Sequence, residues 1–546
     1  MRARALDPVR FEILHSALLS VTDEMGAVLK RSSYSPIIRE MDDYSCALFD
    51  AGGRLVAQGD FIPSQLGAIS LVVRATLARH RSTLAPGDVF IANSPYVGGA
   101  HTPDVNILHP VFRDGALFAW TGTVAHHADF GGPNPGTEGA DLNELYAEGL
   151  ILPPVRLYRR GEPDAELFDL IGANVRDTVA TLADLRAQTA ACWSGERRLA
   201  EVVEDHGAAA VETAFERALD HAERRTRAAL AALRDGEGEA EGFLDDDGAA
   251  GPPTRIHARL TKRGDRLTVD FSGSAAQVPG ALNNPWASTR ACVVFLVKVL
   301  ADPALTSNDG ALRPITIVCP EGSVLRPRPP AAVSVRHLTC QRTADTLLRA
   351  AGAVWPEKAV ASGMVGFFGI NAGGTSPRSG RPTAAQDVVG GGTGGHRLGD
   401  GLDGVDTYMS NVGLLPVEVA ESEYPMRILR SELIAGSGGD GRGRGGLGIR
   451  RDYLLLEEWQ TVTLYCEQSD PRFVPRGAAG GGDGTPTRFR VFAPDGTEMR
   501  LRSQKVTLRL PRGSLVRVES GGGAGWGDPA ERPAPLRTAD EADGRV

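Results

Sequence analysis

Apolar residues near the start of the chain recur at alternating spacings of three and four, which places them on one face of a helix. Asp7 followed by Pro8 is typical of an N-cap with proline at the first helical position. Pro36 forces the residue before it out of the helical region, so the helix should end near Ser32. A core-facing helix is predicted, with its apolar face formed by Phe11, Leu14, Leu18, Val21, Met25 and Val28.

Alternating apolar and polar residues then predict two strands at 44–49 and 54–58, joined by the turn sequence Asp-Ala-Gly-Gly. A helical pattern covers residues 69–79, and apolar strands are predicted at 89–92 and 117–124. Long helical patterns follow at 167–204 and 208–233. In the middle of the chain we predict strands at 256–260, 267–271 and 315–318 and helices at 288–299 and 342–353.

The order of these patterns predicts an α+β fold with several subdomains. Its N-terminal part would be mixed α/β and its C-terminal part β-rich and punctuated by glycine. The acidic, glycine-rich stretch at 235–253 is interpreted as a boundary. The predicted division is an N-terminal subdomain at 1–235, a middle α/β subdomain at 236–362, a β-rich subdomain at 363–530 and a disordered tail at 531–546.

Glycine is dense in four segments, at 390–395, 436–448, 477–484 and 521–527. None of them continues into the G-K-[ST] ending of a phosphate-binding P-loop. The run at 443–448 also lacks the strand and helix that flank a dinucleotide-binding loop. Turns between strands are therefore the preferred interpretation of all four segments.

Composition narrows the possible functions. A net charge of −9 over 546 residues argues against a nucleic-acid groove or an anionic membrane surface as the main partner. No stretch is apolar for the length of a membrane span, and the first residues lack the apolar core of a signal peptide. Six scattered cysteines without a C-x-x-C pair argue against a disulfide framework or a thiolate metal site. A cytoplasmic location is expected.

Residues 93–136 hold four of the eleven histidines. His101 and Asp104 form an H-x-x-D pair after a Gly-Gly turn, and a second cluster follows the strand at 117–124. Imidazole and carboxylate together suit zinc, manganese or iron. Surface histidines in a loop are the alternative. The candidate residues are His101, Asp104, His109, His126, His127 and Asp129, with Asp42 and Asp43 undecided.

Many segments, in order, resemble the hydantoinase B family. This family includes the B subunits of ATP-dependent N-methylhydantoinases, the corresponding half of 5-oxoprolinase, caprolactamase and the alpha subunits of ketone carboxylases. The resemblance rests on DDYSCALFDAGGRLVAQ (42–58), NSPYVGGAHTPD (93–104), HHADFGGPNPG (126–136), EGLILPPVRLY (148–158), VDFSGSAAQVPGALN (269–283), GSGGDGRGRGGLGIRR (436–451) and GGGAGWGDP (521–529).

The resemblance implies one divalent metal ion, zinc as in lactam hydrolases or manganese as in carboxylases. Its ligands would be Asp43, His101, Asp104 and His126. His127 and Asp129 would assist catalysis by orienting the ligands or relaying protons.

The resemblance further implies the B (beta) subunit of a hydrolase acting on cyclic amide C–N bonds. Metal-bound water would attack a lactam or hydantoin carbonyl activated by phosphorylation. ATP would be bound by a hydantoinase A-type partner subunit, in an A2B2 hetero-oligomer, and not by this chain. Two alternatives stay open: the alpha-type subunit of an ATP-dependent ketone carboxylase, and a non-catalytic structural subunit.

One segment departs from the family pattern. Many relatives carry histidines in an HIPVHLG-like sequence, whereas this chain reads FIPSQLG, with Phe61 and Gln65 at those positions. We expect a different substrate contact, or a different substrate, at this loop.

Overall fold

The first half of the chain is built on a seven-stranded antiparallel sheet. The computed structural model describes residues 6–59, 61–65, 68–247, 251–366 and 368–546. Strand order is β2-β1-β5-β4-β3-β6-β7. The strands are β1 (Tyr44–Asp50), β2 (Leu55–Gln58), β3 (Val89–Ala92), β4 (Asp104–Arg113), β5 (Ala116–His126), β6 (Val155–Arg159) and β7 (Glu162–Pro163).

Helices cover this sheet: α1 (Pro8–Ser32), α2 (Pro36–Arg39), α3 (Ile69–His80), α4 (Ala165–Asn174), α5 (Thr178–His206) and α6 (Ala208–Ala232). The predicted start of α1 is confirmed, because the Asp7 carboxylate accepts a hydrogen bond from the Arg10 N–H. The pattern at 167–204 proves to be two helices. The chain leaves α4 at Val175, where the backbone is extended, and Asp177 caps α5.

The middle of the chain forms a four-stranded sheet of order β11-β10-β9-β8. Its elements are β8 (Gly236–Leu244), β9 (Thr254–Arg263), β10 (Arg266–Asp270), α7 (Trp286–Ala301), β11 (Ile315–Val318) and α8 (Arg336–Val354). β8 occupies the stretch that was interpreted as a boundary. Its glycines face α8, and a Cβ at Gly238 would lie 2.7 Å from Val354. The strand carries glutamates on its other face, so over residues 236–242 the alternating pattern has glycine and alanine where large apolar residues would be expected.

Two further antiparallel sheets, β13-β12-β16-β18 and β14-β15-β19-β17, form the C-terminal part. The strands are β12 (Phe368–Thr375), β13 (Pro382–Val389), β14 (Met426–Leu433), β15 (Ile449–Leu455), β16 (Trp459–Tyr465), β17 (Arg488–Phe492), β18 (Lys505–Pro511) and β19 (Leu515–Glu519). The helices are α9 (Val417–Glu423) and α10 (Ala534–Ala542). Helix α10 lies in the segment predicted to be disordered. The Arg532 guanidinium fastens this tail to the fold by ion pairs with Asp540 and Asp400.

The glycine-rich segments are not simple turns between strands. They pack backbone against backbone in a unit that we call the glycine cluster, made of residues 390–395, 438–448, 477–484 and 521–527. The Gly446 N–H donates to the Thr393 carbonyl (2.9 Å), and the Gly523 N–H donates to the Gly446 carbonyl (2.9 Å). A Cβ on Gly446 would lie 1.8 Å from the Leu402 carbonyl oxygen, so no side chain fits there.

The fold class is the predicted α+β, with helices and several separate sheets. Within the described residues, no helix is long and apolar enough to cross a membrane.

Candidate metal centre

Three buried side chains converge at one end of the β4–β5 hairpin. His126 Nδ1 lies 3.2 Å from Asp104 Oδ1 and 3.2 Å from His101 Nε2, and His101 Nε2 lies 3.3 Å from Asp104 Oδ1. Ligand atoms about 2.1 Å from a common ion are separated by roughly 3.0 to 3.4 Å. This triangle therefore has the size of one face of a metal coordination shell.

Strand pairing explains why residues distant in sequence meet here. Asp104 opens β4 and is the register partner of His126 at the end of β5. His101 lies in the turn before β4, and its carbonyl accepts from the Asp104 N–H (3.0 Å). The turn needs Gly98, which has φ +114° and whose Cβ would lie 2.8 Å from the Val72 nitrogen.

Hydrogen bonding orients the His101 ring. Its Nδ1 lies 2.9 Å from the Ser334 carbonyl oxygen, which can only accept, so Nδ1 carries the proton. The other ring nitrogen, Nε2, points into the triangle. Metal-ligating histidines are commonly held in this way by a backbone carbonyl.

Asp43 stands beside the triangle, with Oδ2 4.0 Å from His126 Nδ1. Its carbonyl accepts from the His126 N–H (3.0 Å), and Gln65 Nε2 donates to its Oδ1 (3.3 Å). Burial raises the pKa of Asp43 to about 6, although His126 opposes the shift. Asp42 points elsewhere and forms an ion pair with Lys30 (2.7 Å).

Arg336, from the first turn of α8, donates to Asp104 Oδ2 (2.7 Å). Burial alone would raise the pKa of Asp104, but His101, His126 and Arg336 hold it well below its usual range. Burial alone would lower the pKa of His126, whereas Asp104 and Asp43 raise it to about 9. The cluster is therefore an anionic environment that stabilises a positive charge at its centre.

Glu138 is a buried carboxylate that the sequence did not single out. It accepts from Asn371 Nδ2 (3.1 Å), Gln386 Nε2 (3.2 Å) and the Tyr465 hydroxyl. Gln386 Nε2 also lies 2.9 Å from His126 Nε2. The strands β12, β13 and β16 thus complete the surroundings of the triangle.

Glu138, His101 and His337 form a second group whose ligand atoms could surround an ion. The atom that His101 offers to this group is Nδ1, which already donates to the Ser334 carbonyl. The first triangle is the better ligand set, because its His101 nitrogen, Nε2, is not the one that donates to the Ser334 carbonyl.

The predicted catalytic residues His127 and Asp129 do not line the cavity at the triangle. The His127 ring contacts Gln188 Oε1 (3.0 Å), and the Asp129 carboxylate accepts from the Arg176 backbone and guanidinium (both 2.8 Å). His109 is also separate. It lies inside β4, between the Asp88 carbonyl and the Glu196 carboxylate.

A cavity of about 30 Å³ adjoins the triangle. Its wall includes Cys340, whose sulfur lies 3.4 Å from that of Cys292. A thiol at the site was not expected from the cysteine spacing. Among the described residues, neither cysteine belongs to a group that could hold an ion.

Fold and site together define a protein in which a buried His/Asp cluster from the N-terminal part could hold a metal ion and is covered by side chains from the rest of the chain. The chain belongs to the hydantoinase B/oxoprolinase family, whose sequence model matches residues 7–529.

Caprolactamase subunit beta of Pseudomonas jessenii is 30% identical over 99% of this chain and 94% of its own length. 5-oxoprolinase 1 of Arabidopsis thaliana is 30% identical over 95% of this chain, which spans 42% of that protein. The crystal structure of the ATP-dependent caprolactamase from P. jessenii superposes with a TM-score of 0.92 at 29% identity. That match covers 100% of this chain and 95% of the other.

A nucleotide-free acetone carboxylase structure also superposes, with a TM-score of 0.90 over 99% of this chain and 78% of that chain. The sequences are 21% identical, so this match shows a shared fold alone.

Proposed function

We propose that this chain is the B-type subunit of an ATP-dependent hydrolase that opens cyclic amides such as lactams and hydantoins. The observation that carries the proposal is the buried triangle of His101, Asp104 and His126. It occurs in a chain that resembles caprolactamase subunit beta over nearly its full length.

The residues present fit one divalent ion. His101 Nε2, His126 Nδ1 and Asp104 Oδ1 would supply three ligands, and Asp43, whose Oδ2 lies 4.0 Å from His126 Nδ1, would supply a fourth. Zinc and manganese both accept imidazole and carboxylate. Such an ion lowers the pKa of water toward 7 and polarises a carbonyl group.

The remaining groups position these ligands. Arg336 neutralises the second oxygen of Asp104, and Gln65 holds Asp43 through an amide hydrogen bond. We assign His127 and Asp129 supporting roles. Asp129, in the loop after β5, forms an ion pair with Arg176. His127, at the end of β5, contacts Gln188 on α5.

ATP would be bound by a partner subunit and not by this chain. Amide carbonyls are poor electrophiles, and phosphorylation of the carbonyl oxygen makes them reactive. The glycine-rich segments of this chain pack against one another, and their sequences lack a phosphate-binding lysine. We therefore propose that an A-type subunit binds ATP and assembles with this chain. Native mass spectrometry of the complex should give an A2B2 stoichiometry.

Reconstitution with an A-type subunit tests the reaction. At least one of the candidate substrates, hydantoins, 5-oxoproline or caprolactam, should be hydrolysed with ATP consumption, and this chain alone should consume no ATP. Carboxylation of a ketone with bicarbonate, without lactam hydrolysis, would replace the proposal with the carboxylase alternative. Appreciable ATP-driven hydrolysis by the isolated chain would contradict the need for a partner.

His101→Ala tests the metal site itself. Removing one of the four proposed ligands should lower the metal content from about one ion per chain to near zero after dialysis, measured by elemental analysis. His206→Ala removes a histidine far along the chain at the end of α5 and should keep the ion. A wild-type protein without stoichiometric metal would favour the structural-subunit alternative.

A further inference from the structure

Two buried thiols meet where α7 packs against α8. Cys292 on α7 and Cys340 on α8 have their sulfur atoms 3.4 Å apart. The helices are close at this point, because the Cys292 sulfur also lies 3.5 Å from the Cys340 carbonyl oxygen. Among the six cysteines, all of which lie in the described part of the chain, these two alone have sulfurs in contact. A disulfide bond is about 2.05 Å long, so the sulfurs need to approach by only about 1.4 Å to form one.

The two thiols differ in what they face. Cys340 forms part of the wall of the cavity at the candidate metal centre, whereas Cys292 lies behind it. This cavity of about 30 Å³ has room for about two water molecules, or for one molecule of hydrogen peroxide. Asp43 lines the same cavity, and its side chain is 15% exposed. A small polar oxidant that enters beside Asp43 would therefore meet the Cys340 sulfur first.

Arg336 favours reaction at Cys340. It lies one turn before Cys340 on α8 and lines the same cavity. The hydrogen bond with Cys292 and the positive charge of Arg336 lower the pKa of Cys340, although burial opposes the shift. Burial raises the pKa of Cys292 well above its ordinary value. Because the thiolate is the form that attacks a peroxide, Cys340 should react before Cys292.

We propose that Cys340 and Cys292 are a peroxide-sensitive thiol pair, in which Cys340 is oxidised from the metal cavity and Cys292 then closes a disulfide with it. In the first step the Cys340 sulfur attacks hydrogen peroxide, the O–O bond breaks, and a sulfenic acid and one water form. In the second step the Cys292 sulfur attacks the Cys340 sulfur, and the S–O bond breaks with release of a second water. The peroxide gains the two electrons that the thiols lose, and a dithiol reductant reverses the bond.

The disulfide would act on the metal centre through the first turn of α8. Drawing Cys340 toward α7 shifts the turn that holds Arg336 against Asp104, where the guanidinium donates to Oδ2 at 2.7 Å. Groups that orient a metal ligand typically contribute roughly 10- to 100-fold to metal affinity. The oxidised chain should therefore bind zinc on the order of tenfold more weakly than the reduced chain. The thiol chemistry itself does not depend on the proposed hydrolase function.

Peptide mapping of the full-length chain tests the modification. After brief exposure of the reduced, zinc-loaded chain to hydrogen peroxide, a non-reducing map should contain a cross-linked pair of peptides carrying Cys292 and Cys340. Its mass should be about 2 Da below the sum of the two reduced peptides, because two hydrogen atoms are lost. Dithiothreitol should remove the cross-link. Cys292→Ala should leave a sulfenic acid on Cys340 that dimedone traps. A wild type without the cross-link, with Cys292 and Cys340 both still reduced, would overturn the proposal.

Cys319→Ala provides the matched control. Cys319 is the most exposed of the six cysteines, at 7%, and its sulfur contacts the Ser323 hydroxyl at 3.6 Å. Its removal should leave the cross-link unchanged. Exposure alone would make Cys319 the first thiol to be oxidised. Dimedone labelling of wild-type Cys319 before any reaction at Cys340 would therefore contradict the route through the metal cavity.

Zinc affinity tests the consequence for the metal centre. Competition with a chromophoric chelator should give a Kd about tenfold higher for the cross-linked chain than for the reduced chain, and dithiothreitol should restore the lower value. A cross-linked chain with an unchanged Kd would overturn the effect on Arg336 and Asp104. Because peptide mapping and zinc affinity are measured without a substrate, their outcome is distinct from the success or failure of the hydrolase assay.

Discussion

Glu148 supports the candidate metal centre through the segment that contains Ser334. Its Oε1 accepts from the Val333 and Ser334 N–H groups, the latter at 2.7 Å. The Ser334 carbonyl in turn orients His101. Burial raises the pKa of Glu148 from 4.5 to about 8, although these two N–H donors oppose the shift. The protonated carboxyl is therefore the form that the fold favours at neutral pH.

This pKa predicts a pH dependence of stability. The folded chain keeps the Glu148 proton up to about pH 8, while the unfolded chain releases it near 4.5. The free energy of unfolding should therefore fall as pH rises through this window, by up to about 1.4 kcal/mol per pH unit. Glu148→Gln cannot ionise and should show a flatter profile in urea unfolding between pH 5 and pH 8.

Glu201→Gln is the control for the Glu148 prediction, because Glu201 has a 49% exposed side chain on α5. It should keep the wild-type slope. Identical slopes for wild type and Glu148→Gln would show that Glu148 is ionised in the folded protein.

At the residue scale, His101, Asp104 and His126 could be predicted as candidate ligands because they are clustered within one stretch of the sequence. It could not separate His126 from His127. Successive residues at the end of a strand point to opposite faces, so His127 turns toward α5. Arg336 and Glu138 escaped notice because tertiary packing brings them to the site from segments without a distinctive pattern.

At the scale of elements, the glycine cluster gives a sharp prediction. Gly446→Ala places a Cβ 1.8 Å from the Leu402 carbonyl oxygen, inside a backbone hydrogen-bond network. The backbone must shift, and we expect a loss of at least about 1–3 kcal/mol in the free energy of unfolding. Chemical denaturation measures the loss.

Gly399→Ala is the matched control within the same region. Its nearest neighbour would be a His396 ring atom at 3.9 Å, an ordinary contact, and its φ is not in the left-handed region. Stability should be unchanged or slightly higher, because alanine restricts the unfolded chain. Equal losses in both variants would contradict the close backbone packing.

Elements with an apolar face were predictable, and those without one were not. Helix α1 and the β1–β2 hairpin begin and end close to their predicted positions. Strand β8 was missed because it alternates glutamate with glycine, and helix α8 begins earlier than predicted, at Arg336. The first turn of α8 is buried yet mostly polar, since Arg336 and His337 face the candidate metal centre, so apolar periodicity could not reveal it.

At the scale of the molecule, the site joins all three parts of the chain. The ligands come from the first sheet, Arg336 comes from α8, and Gln386 comes from β13. An ion that binds only this folded assembly stabilises it by mass action, by about 2.7 kcal/mol at 100 times Kd.

Metal removal should therefore lower stability beyond the N-terminal part. Calorimetry of the metal-loaded chain with and without chelator should show every unfolding transition at a lower Tm after chelation. His101→Ala should not respond to the chelator. A shift confined to one early transition would mean that the parts unfold independently.

The glycine cluster also limits which amino-acid substitutions this chain can tolerate. A segment such as GSGGDGRGRGGLG resembles low-complexity sequence, which usually tolerates substitution. Here almost every glycine Cβ would collide with a neighbouring carbonyl. The glycine-rich segments therefore tolerate substitution least, although their sequence resembles low complexity. After random mutagenesis, the substitutions that leave the protein folded should lie mainly on the helices and exposed strand faces.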